Sequence, residues 1–83
     1  MAAKKKDYAD YSRGFDRGNF GHAYESTDWE SWYEATTRQD MPLNQCEIEG
    51  MLLGFFSTYE LHEIEDSELR AEVEDYRGKW GGL

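Results

Sequence analysis

Two segments of the 83-residue chain carry the same pattern of glycine and phenylalanine, and this repeat restricts the fold more than any other feature. Residues 14–20 match residues 50–56 at two glycines four positions apart and at the final phenylalanine. Glycines with this spacing allow two helix backbones to approach closely. The repeat therefore predicts two helical hairpins related by a pseudo-twofold axis, in which Gly14 and Gly18 face the second pair, Gly50 and Gly54. Chance similarity in a chain rich in glycine and aromatic residues is the alternative.

The apolar residues have helical spacing along the chain, and no stretch shows the sustained alternation typical of a strand. Four helices are predicted: one from near Asp7, a short one over residues 28–37, a central one after residue 43, and a last one from Asp66 or Ser67 to Gly78. A turn is expected between Gly18 and Ser26. We predict a small all-α, four-helix fold, with residues 7–83 as a single helical domain after a flexible basic N-terminus at residues 1–6.

Two helix starts can be assigned to capping residues. Thr27 and Glu30 have the spacing of a capping box, which favours the start of the second helix nearby. Asp40 can cap the third helix, whose first turn tolerates Pro42. The third helix is predicted to extend to Tyr59. Because apolar residues cover much of its circumference, it is predicted to be central to the core.

The charge balance restricts the class of partner. The chain holds 18 Asp and Glu against 9 Lys and Arg, for a formal net charge of -9, and three of the bases are the lysines at positions 4–6. A field of this sign repels phosphate backbones and attracts basic surfaces. We therefore expect a basic protein or ribonucleoprotein complex as the partner, with no direct contact to nucleic acid or membrane.

No pattern typical of a catalytic, metal or cofactor site is found in the sequence. Cys46 is the only cysteine, so neither an intrachain disulfide nor a thiolate-rich metal site is expected, and a reducing cytoplasm is the simplest compartment. His22 and His62 match no known ligand spacing. The longest apolar run, residues 51–56, is too short to span a bilayer. A non-enzymatic, cytoplasmic protein without a cofactor is expected.

The strongest candidate binding surface is the acidic run over residues 60–75, which contains eight acids and one base. Four of its carboxylates have the spacing i, i+3, i+7 and i+10 on the last predicted helix: Glu65, Glu68, Glu72 and Asp75. Neighbours in such a stripe lie roughly 5–6 Å apart at Cβ, close to the spacing of phosphates along a strand. The stripe is therefore a candidate imitation of a nucleic-acid backbone. A merely solvated charged face is the alternative.

A second candidate surface combines rings and carboxylates on the second helix: Trp29, Glu30, Tyr33 and Glu34. The rings supply anchors that also stack on arginine, and the acids supply charge complementarity. The alternative places Trp32 and Tyr33 in the core and leaves the acids as solvated neighbours. Trp29 is the better candidate for an anchor.

In size, acidity, aromatic content and lack of a catalytic motif, the chain resembles small inhibitors encoded by phages and mobile elements, including anti-CRISPR and anti-restriction proteins. The acidic run over residues 60–75 carries this likeness, since several such inhibitors present carboxylates where nucleic acid would bind. The resemblance implies an inhibitor, in the host cytoplasm, that blocks DNA or RNA binding by a host defence complex. The alternative is a regulatory or structural adaptor that recognises its partner, or a second copy in a homodimer, through an aromatic surface.

Overall fold

The computed structural model describes residues 7–25, 28–38 and 43–81, and within these ranges the chain forms four α-helices and no strand. The helices are α1 (Tyr8–Phe20), α2 (Trp29–Thr37), α3 (Gln45–Phe55) and α4 (Ser67–Trp80). A π-helical segment, Gly21–Glu25, follows α1, and a 3-10 turn, Leu61–Glu63, precedes α4. The prediction of a small all-α, four-helix fold is confirmed. The N-terminus predicted to be flexible, residues 1–6, lies outside the described residues.

Helices α1 and α3 cross at the two glycine pairs, with backbone against backbone. A Cβ atom on Gly18 would lie 2.7 Å from the amide nitrogen of Phe55. From the other helix, a Cβ on Gly50 would lie 2.9 Å from the amide nitrogen of Phe15, and one on Gly54 would lie 2.8 Å from its carbonyl carbon. Because side chains cannot be accommodated at such distances, only glycine permits this crossing. The predicted facing of the two glycine pairs is confirmed.

These contacts are reciprocal, as a pseudo-twofold axis requires. The absent Cβ of each glycine is directed at the carbonyl oxygen of the residue three positions before the equivalent glycine of the partner helix. The four pairs are Gly14 with Glu47, Gly50 with Tyr11, Gly18 with Met51, and Gly54 with Phe15. The order of elements also repeats, since α1 and α3 are each followed by a short non-α segment and then by a second helix. The α1–α3 crossing thus has the local symmetry that the sequence repeat predicts.

The core is built around α3. All residues from 49 to 56 are buried, and they are joined by Val73 and Trp80 of α4 and by Trp32 of α2. The central position predicted for the third helix is confirmed. Its predicted extension to Tyr59 is wrong, because α3 ends at Phe55 and a turn follows.

The backbone remains helical after α1, where the sequence predicts a turn between Gly18 and Ser26. It continues in π form as far as Glu25. Gly21 begins this segment, and a Cβ there would lie 2.5 Å from the Cζ2 atom of Trp32. The indole of Trp32 therefore packs where a side chain would otherwise be, which fixes α2 against the end of α1.

Two helices begin at different capping residues from those predicted. Asp28 caps α2 and Asn44 caps α3, and each accepts a hydrogen bond from the amide three residues further on. Both caps have extended backbone, with ψ of 165° and 171°, so the helix can begin only after them. The predicted caps, Thr27 and Asp40, lie outside the described residues.

Helix α4 continues past Gly78, its predicted end, to Trp80. The indole of Trp80 is 1% exposed, stacks on Tyr11 with ring centroids 4.3 Å apart, and donates from Nε1 to Glu49 at 2.7 Å. Lys79 Nζ lies 3.0 Å from the same carboxylate. Because these contacts fix the last turn of α4 to α1 and α3, tertiary packing overrides the glycine as a stop signal.

Glu49 is ionised although it is only 2% exposed. Burial acts to raise its pKa, but hydrogen bonds from Trp80, Gln45 and Lys79, with the Lys79 charge, outweigh this and hold the pKa below its ordinary value. The ionised carboxylate therefore contributes to stability and holds the end of α4, the helix that carries the predicted acidic stripe.

Substitution of Gly18 by alanine should destabilise the protein by roughly 1–3 kcal/mol, because the new methyl group would overlap the α3 backbone. Gly78→Ala is the matched control: this glycine is also helical, but nothing lies within 4 Å of its Cβ position. The control should stabilise the protein by about 0.5–1 kcal/mol. Urea unfolding followed by circular dichroism measures both changes. Equal effects of the two variants would contradict a close crossing at Gly18.

The Glu49→Gln variant should be less stable than the parent by about 1–3 kcal/mol at neutral pH, because a neutral amide loses the charge-assisted bonds. Since folding lowers the pKa of Glu49 below its ordinary value of 4.5, the stabilisation is complete above that pH and is lost as the pH falls through the folded-state pKa. The difference in unfolding free energy between the two proteins should therefore shrink as the pH is lowered from 7 to 3. A difference that does not depend on pH would contradict this role of the ionised carboxylate.

Candidate protein-binding surface

Three of the four predicted stripe carboxylates lie on α4, and all three are exposed: Glu68, Glu72 and Asp75. At 1.5 Å per residue they extend over about 10 Å of the helix axis, and at about 100° per residue they lie within roughly 60° of one another. Val73 and Trp80, the buried residues of this helix, lie about 120° around the helix axis from the middle of this row. These three acids are called the α4 stripe below.

Glu65 does not belong to the α4 stripe, and this part of the prediction is wrong. Asp66 has extended backbone, with ψ of 118°, and its side chain accepts from the amides of Glu68 at 2.9 Å and Leu69 at 3.2 Å. Because Asp66 is the N-cap, α4 begins only at Ser67. Glu65 therefore precedes the helix, and its exposed side chain lines a groove beside α2.

The four residues predicted to form a surface on α2 do lie along one side of that helix, where they line a shallow hollow. The rings of Trp29 and Tyr33 are half-buried and stacked, with centroids 5.1 Å apart. Glu30 and Glu34 are exposed beside them, and Glu34 forms an ion pair with Arg38 at 3.8 Å. These residues, Trp29, Glu30, Tyr33 and Glu34, are called the α2 patch. Trp32, by contrast, is a core residue, as the alternative proposed.

A groove of about 380 Å³ joins the α2 patch to the segment before α4. Its base consists of buried and half-buried apolar side chains: Trp29, Phe55, Phe56, Tyr59, Ile64 and Leu69. Its edge consists of exposed carboxylates: Asp28, Glu30, Glu63, Glu65 and Asp66. No lysine or arginine is among the described residues that line this acidic groove.

The acidic groove was not predicted as a unit. Sequence spacing assigned Trp29 and Glu30 to one surface and Glu65 to another, whereas the fold brings them to one site. Glu63 was visible only as a member of the acidic run. No local pattern could have joined these residues, because the packing of α2 against the end of α3 sets their distance.

Most basic side chains of the described residues bind partners other than the acids of the α4 stripe and the acidic groove. Residues 7–83 contain six bases, and five of them have partners in the structure. Three pair with carboxylates, Arg13 with Asp10 and Glu47, Arg38 with Glu34, and Lys79 with Glu49. Two donate to backbone carbonyls, Arg70 to Ile64 and Arg77 to Phe56 and Tyr59. Within the described ranges, no ion pair therefore neutralises the α4 stripe, Glu30, Glu63 or Glu65.

A larger groove of about 640 Å³ lies between α1 and α4, and its charge is different. Aromatic residues line it, among them Tyr11, Phe15 and Trp80, together with Arg77 and Glu60. One base and one acid give this groove no excess of either sign. It is therefore less suited than the acidic groove to a basic partner.

Two general features of the described residues bear on the kind of site. No three or more His, Cys, Asp or Glu side chains among them are grouped so that they could hold a metal ion. None of the described helices has the length and apolar character needed to cross a membrane.

We expect the fluorescence of Trp29 to be quenched more strongly by caesium than by iodide, each compared with free tryptophan amide. Trp32 and Trp80 are 5% and 1% exposed, so Trp29 is the tryptophan that ions can reach, and the surrounding carboxylates concentrate cations. The difference should shrink in 1 M salt, where the Debye length falls to about 3 Å. Trp29→Phe should remove the quenchable signal. Equal quenching by the two ions would contradict an acidic environment of Trp29.

No family model, curated protein or solved structure matches the chain at a significant level. The α4 stripe, the α2 patch and the acidic groove are therefore what supports a function.

Proposed function

We propose that the protein is a non-enzymatic inhibitor that binds the basic, nucleic-acid-binding surface of another protein or ribonucleoprotein and keeps DNA or RNA from it. The observation that supports this most is the separation of charge. Glu30, Glu63, Glu65 and the α4 stripe form no ion pair among the described residues, whereas most bases of the folded body are bound elsewhere. A surface of this kind attracts a partner that normally binds phosphates.

The α4 stripe is suited to imitating a phosphate backbone. Glu72 and Asp75 are three residues apart, and Glu68 is four residues before Glu72, so neighbouring Cβ atoms are roughly 5–6 Å apart. The helix fixes the Cβ atoms of the three acids in a row. Only the rotamers of their side chains therefore have to be ordered on binding. Like charges at this spacing cost about 0.2–0.5 kcal/mol per pair in the free protein, and a basic partner relieves that repulsion.

A host defence complex of the CRISPR-Cas or restriction type is the target we propose. Such complexes hold nucleic acid in basic channels, where a small acidic protein competes by occupancy. The likeness in size, acidity and aromatic content to inhibitors encoded by phages and mobile elements supports this choice.

A second candidate function is an adaptor that binds through aromatic surface, either to another protein or to a second copy. Phe20 and Tyr24 favour it, because they are 54% and 76% exposed and their ring centroids are 4.8 Å apart. Binding through these rings would depend little on salt. The inhibitor ranks first because six exposed acids, Glu30, Glu63, Glu65, Glu68, Glu72 and Asp75, form no ion pair among the described residues, whereas the ring pair consists of two side chains.

Charge reversal on α4 tests the inhibitor. Glu72→Lys should weaken partner binding about tenfold or more, since it removes an attraction and adds a repulsion. Glu74→Lys is the matched control, because Glu74 is exposed on the same helix, about 200° round from Glu72, and the change in net charge is the same. It should change the affinity by less than about threefold.

The partner needed for that measurement can be captured from nuclease-treated bacterial extract on immobilised protein. The purified partner should bind DNA or RNA on its own, and the parent protein, but not Glu72→Lys, should displace that nucleic acid in a gel-shift assay. A partner that keeps its nucleic acid at saturating inhibitor would contradict the proposal. Binding unaffected by 0.5 M salt but lost in Phe20→Ala would favour the adaptor instead.

A further inference from the structure

The acidic groove differs from the α4 stripe because apolar surface lies beneath its charges. Trp29, Tyr59 and Leu69 are half-buried at its base, so part of each side chain remains open to solvent. Its volume of about 380 Å³ is near the lower end of the range of ligand pockets, roughly 300–1,000 Å³. A space of this size suits one or two side chains of a bound segment.

Not all of the groove carboxylates are available to a ligand in the same way. Asp28 and Asp66 are the N-caps of α2 and α4, and they accept backbone amides at 3.4 and 2.9 Å. Glu30, Glu63 and Glu65 are exposed and have no hydrogen bond or ion pair to their side chains among the described residues. Three carboxylates over an aromatic base therefore remain for a cation.

No described base of the chain supplies that cation. Arg70 is the base closest in sequence to the groove, and its guanidinium donates to the carbonyl oxygen of Ile64 at 2.9 Å. This bond holds the backbone of the groove wall in place. It leaves the charge of Glu63 and Glu65 uncompensated by an ion pair.

We propose that the acidic groove binds an arginine-rich segment of the partner and distinguishes arginine from lysine; this inference rests on the proposed function and names the chemistry of its partner. A guanidinium is planar, weakly hydrated and carries five N–H donors, so it can stack on the Trp29 ring while donating to more than one carboxylate. A lysine ammonium is a strongly hydrated point charge, which loses more hydration over an apolar base. Apolar surface and negative charge together thus complement arginine.

The inference is tested with two synthetic peptides of equal charge, hexa-arginine and hexa-lysine, titrated into the purified protein and followed by the fluorescence of Trp29. Hexa-arginine should bind about tenfold more tightly than hexa-lysine. The double variant Glu63→Gln with Glu65→Gln should weaken hexa-arginine binding about tenfold and reduce the preference for arginine.

The matched control is Glu72→Gln with Asp75→Asn, which removes the same charge from the α4 stripe. It should weaken both peptides by the same factor and leave the preference for arginine unchanged. Circular dichroism verifies that both double variants, whose changes are all at exposed positions, are folded. Equal binding of the two peptides by the parent, or equal loss in both variants, would overturn the inference. Self-association of the free protein through the groove, measured by sedimentation, would also overturn it.

The outcome can be separated from that of the proposed function by the nucleic-acid displacement assay with the captured partner. If the peptides bind without discrimination while displacement succeeds, the groove inference fails and the inhibitor stands. If arginine is preferred but the partner keeps its nucleic acid, the groove is a binding site and the inhibitor fails.

Discussion

The structure depends on the contact between the backbones of α1 and α3. At each of the four glycines, the hydrogen that replaces a Cβ is directed at a carbonyl oxygen of the other helix, the arrangement of Cα–H···O bonds. Each helical glycine costs about 1 kcal/mol relative to alanine, so close packing must offset that cost. The crossing leaves α3 at the centre, where α2 reaches it through Trp32 beside Gly21 and α4 reaches it through Trp80 and Glu49. Both acidic surfaces are therefore positioned by this contact.

Sequence periodicity was sufficient for the helices and for the crossing, because both follow from local spacing and from the absence of side chains. It failed at the two ends of α4. Glu65 was predicted to lie on the last helix with the other stripe acids, but it precedes α4, because the Asp66 carboxylate caps the helix by accepting the amides of Glu68 and Leu69. Gly78 does not stop α4, because contacts of Trp80 with Tyr11 and Glu49 stabilise two more helical residues. The first failure is local, because helical spacing alone does not show that the helix begins after the cap at Asp66, whereas the second arises from tertiary contacts that a single sequence does not display.

The sign of the net charge can be read from the sequence, but the positions of the acids and bases in the folded protein cannot. A net charge of -9 would have little consequence for binding if the bases were spread among the exposed acids. Instead, Lys79 pairs with the buried Glu49, and Arg70 and Arg77 donate to backbone carbonyls, so these three bases support the fold. Folding therefore separates the charges: bases are used to hold elements together, and acids accumulate on the outside. That separation, more than the composition, is what favours a basic partner.

In the proposed function, the α4 stripe and the acidic groove would contribute to recognition in different ways. Charges exposed on a helix act over about a Debye length, so the stripe would speed the encounter with any basic surface and discriminate little among such surfaces. The groove would act only at short range, because its carboxylates line the same groove as Trp29 and Tyr59. A cation that also covers this apolar surface would bind there more tightly than one that does not. In this proposal, specificity would therefore come from the groove between α2 and the start of α4. Trp29 and Glu65 meet there only in the folded chain, which is why neither alone identified the site.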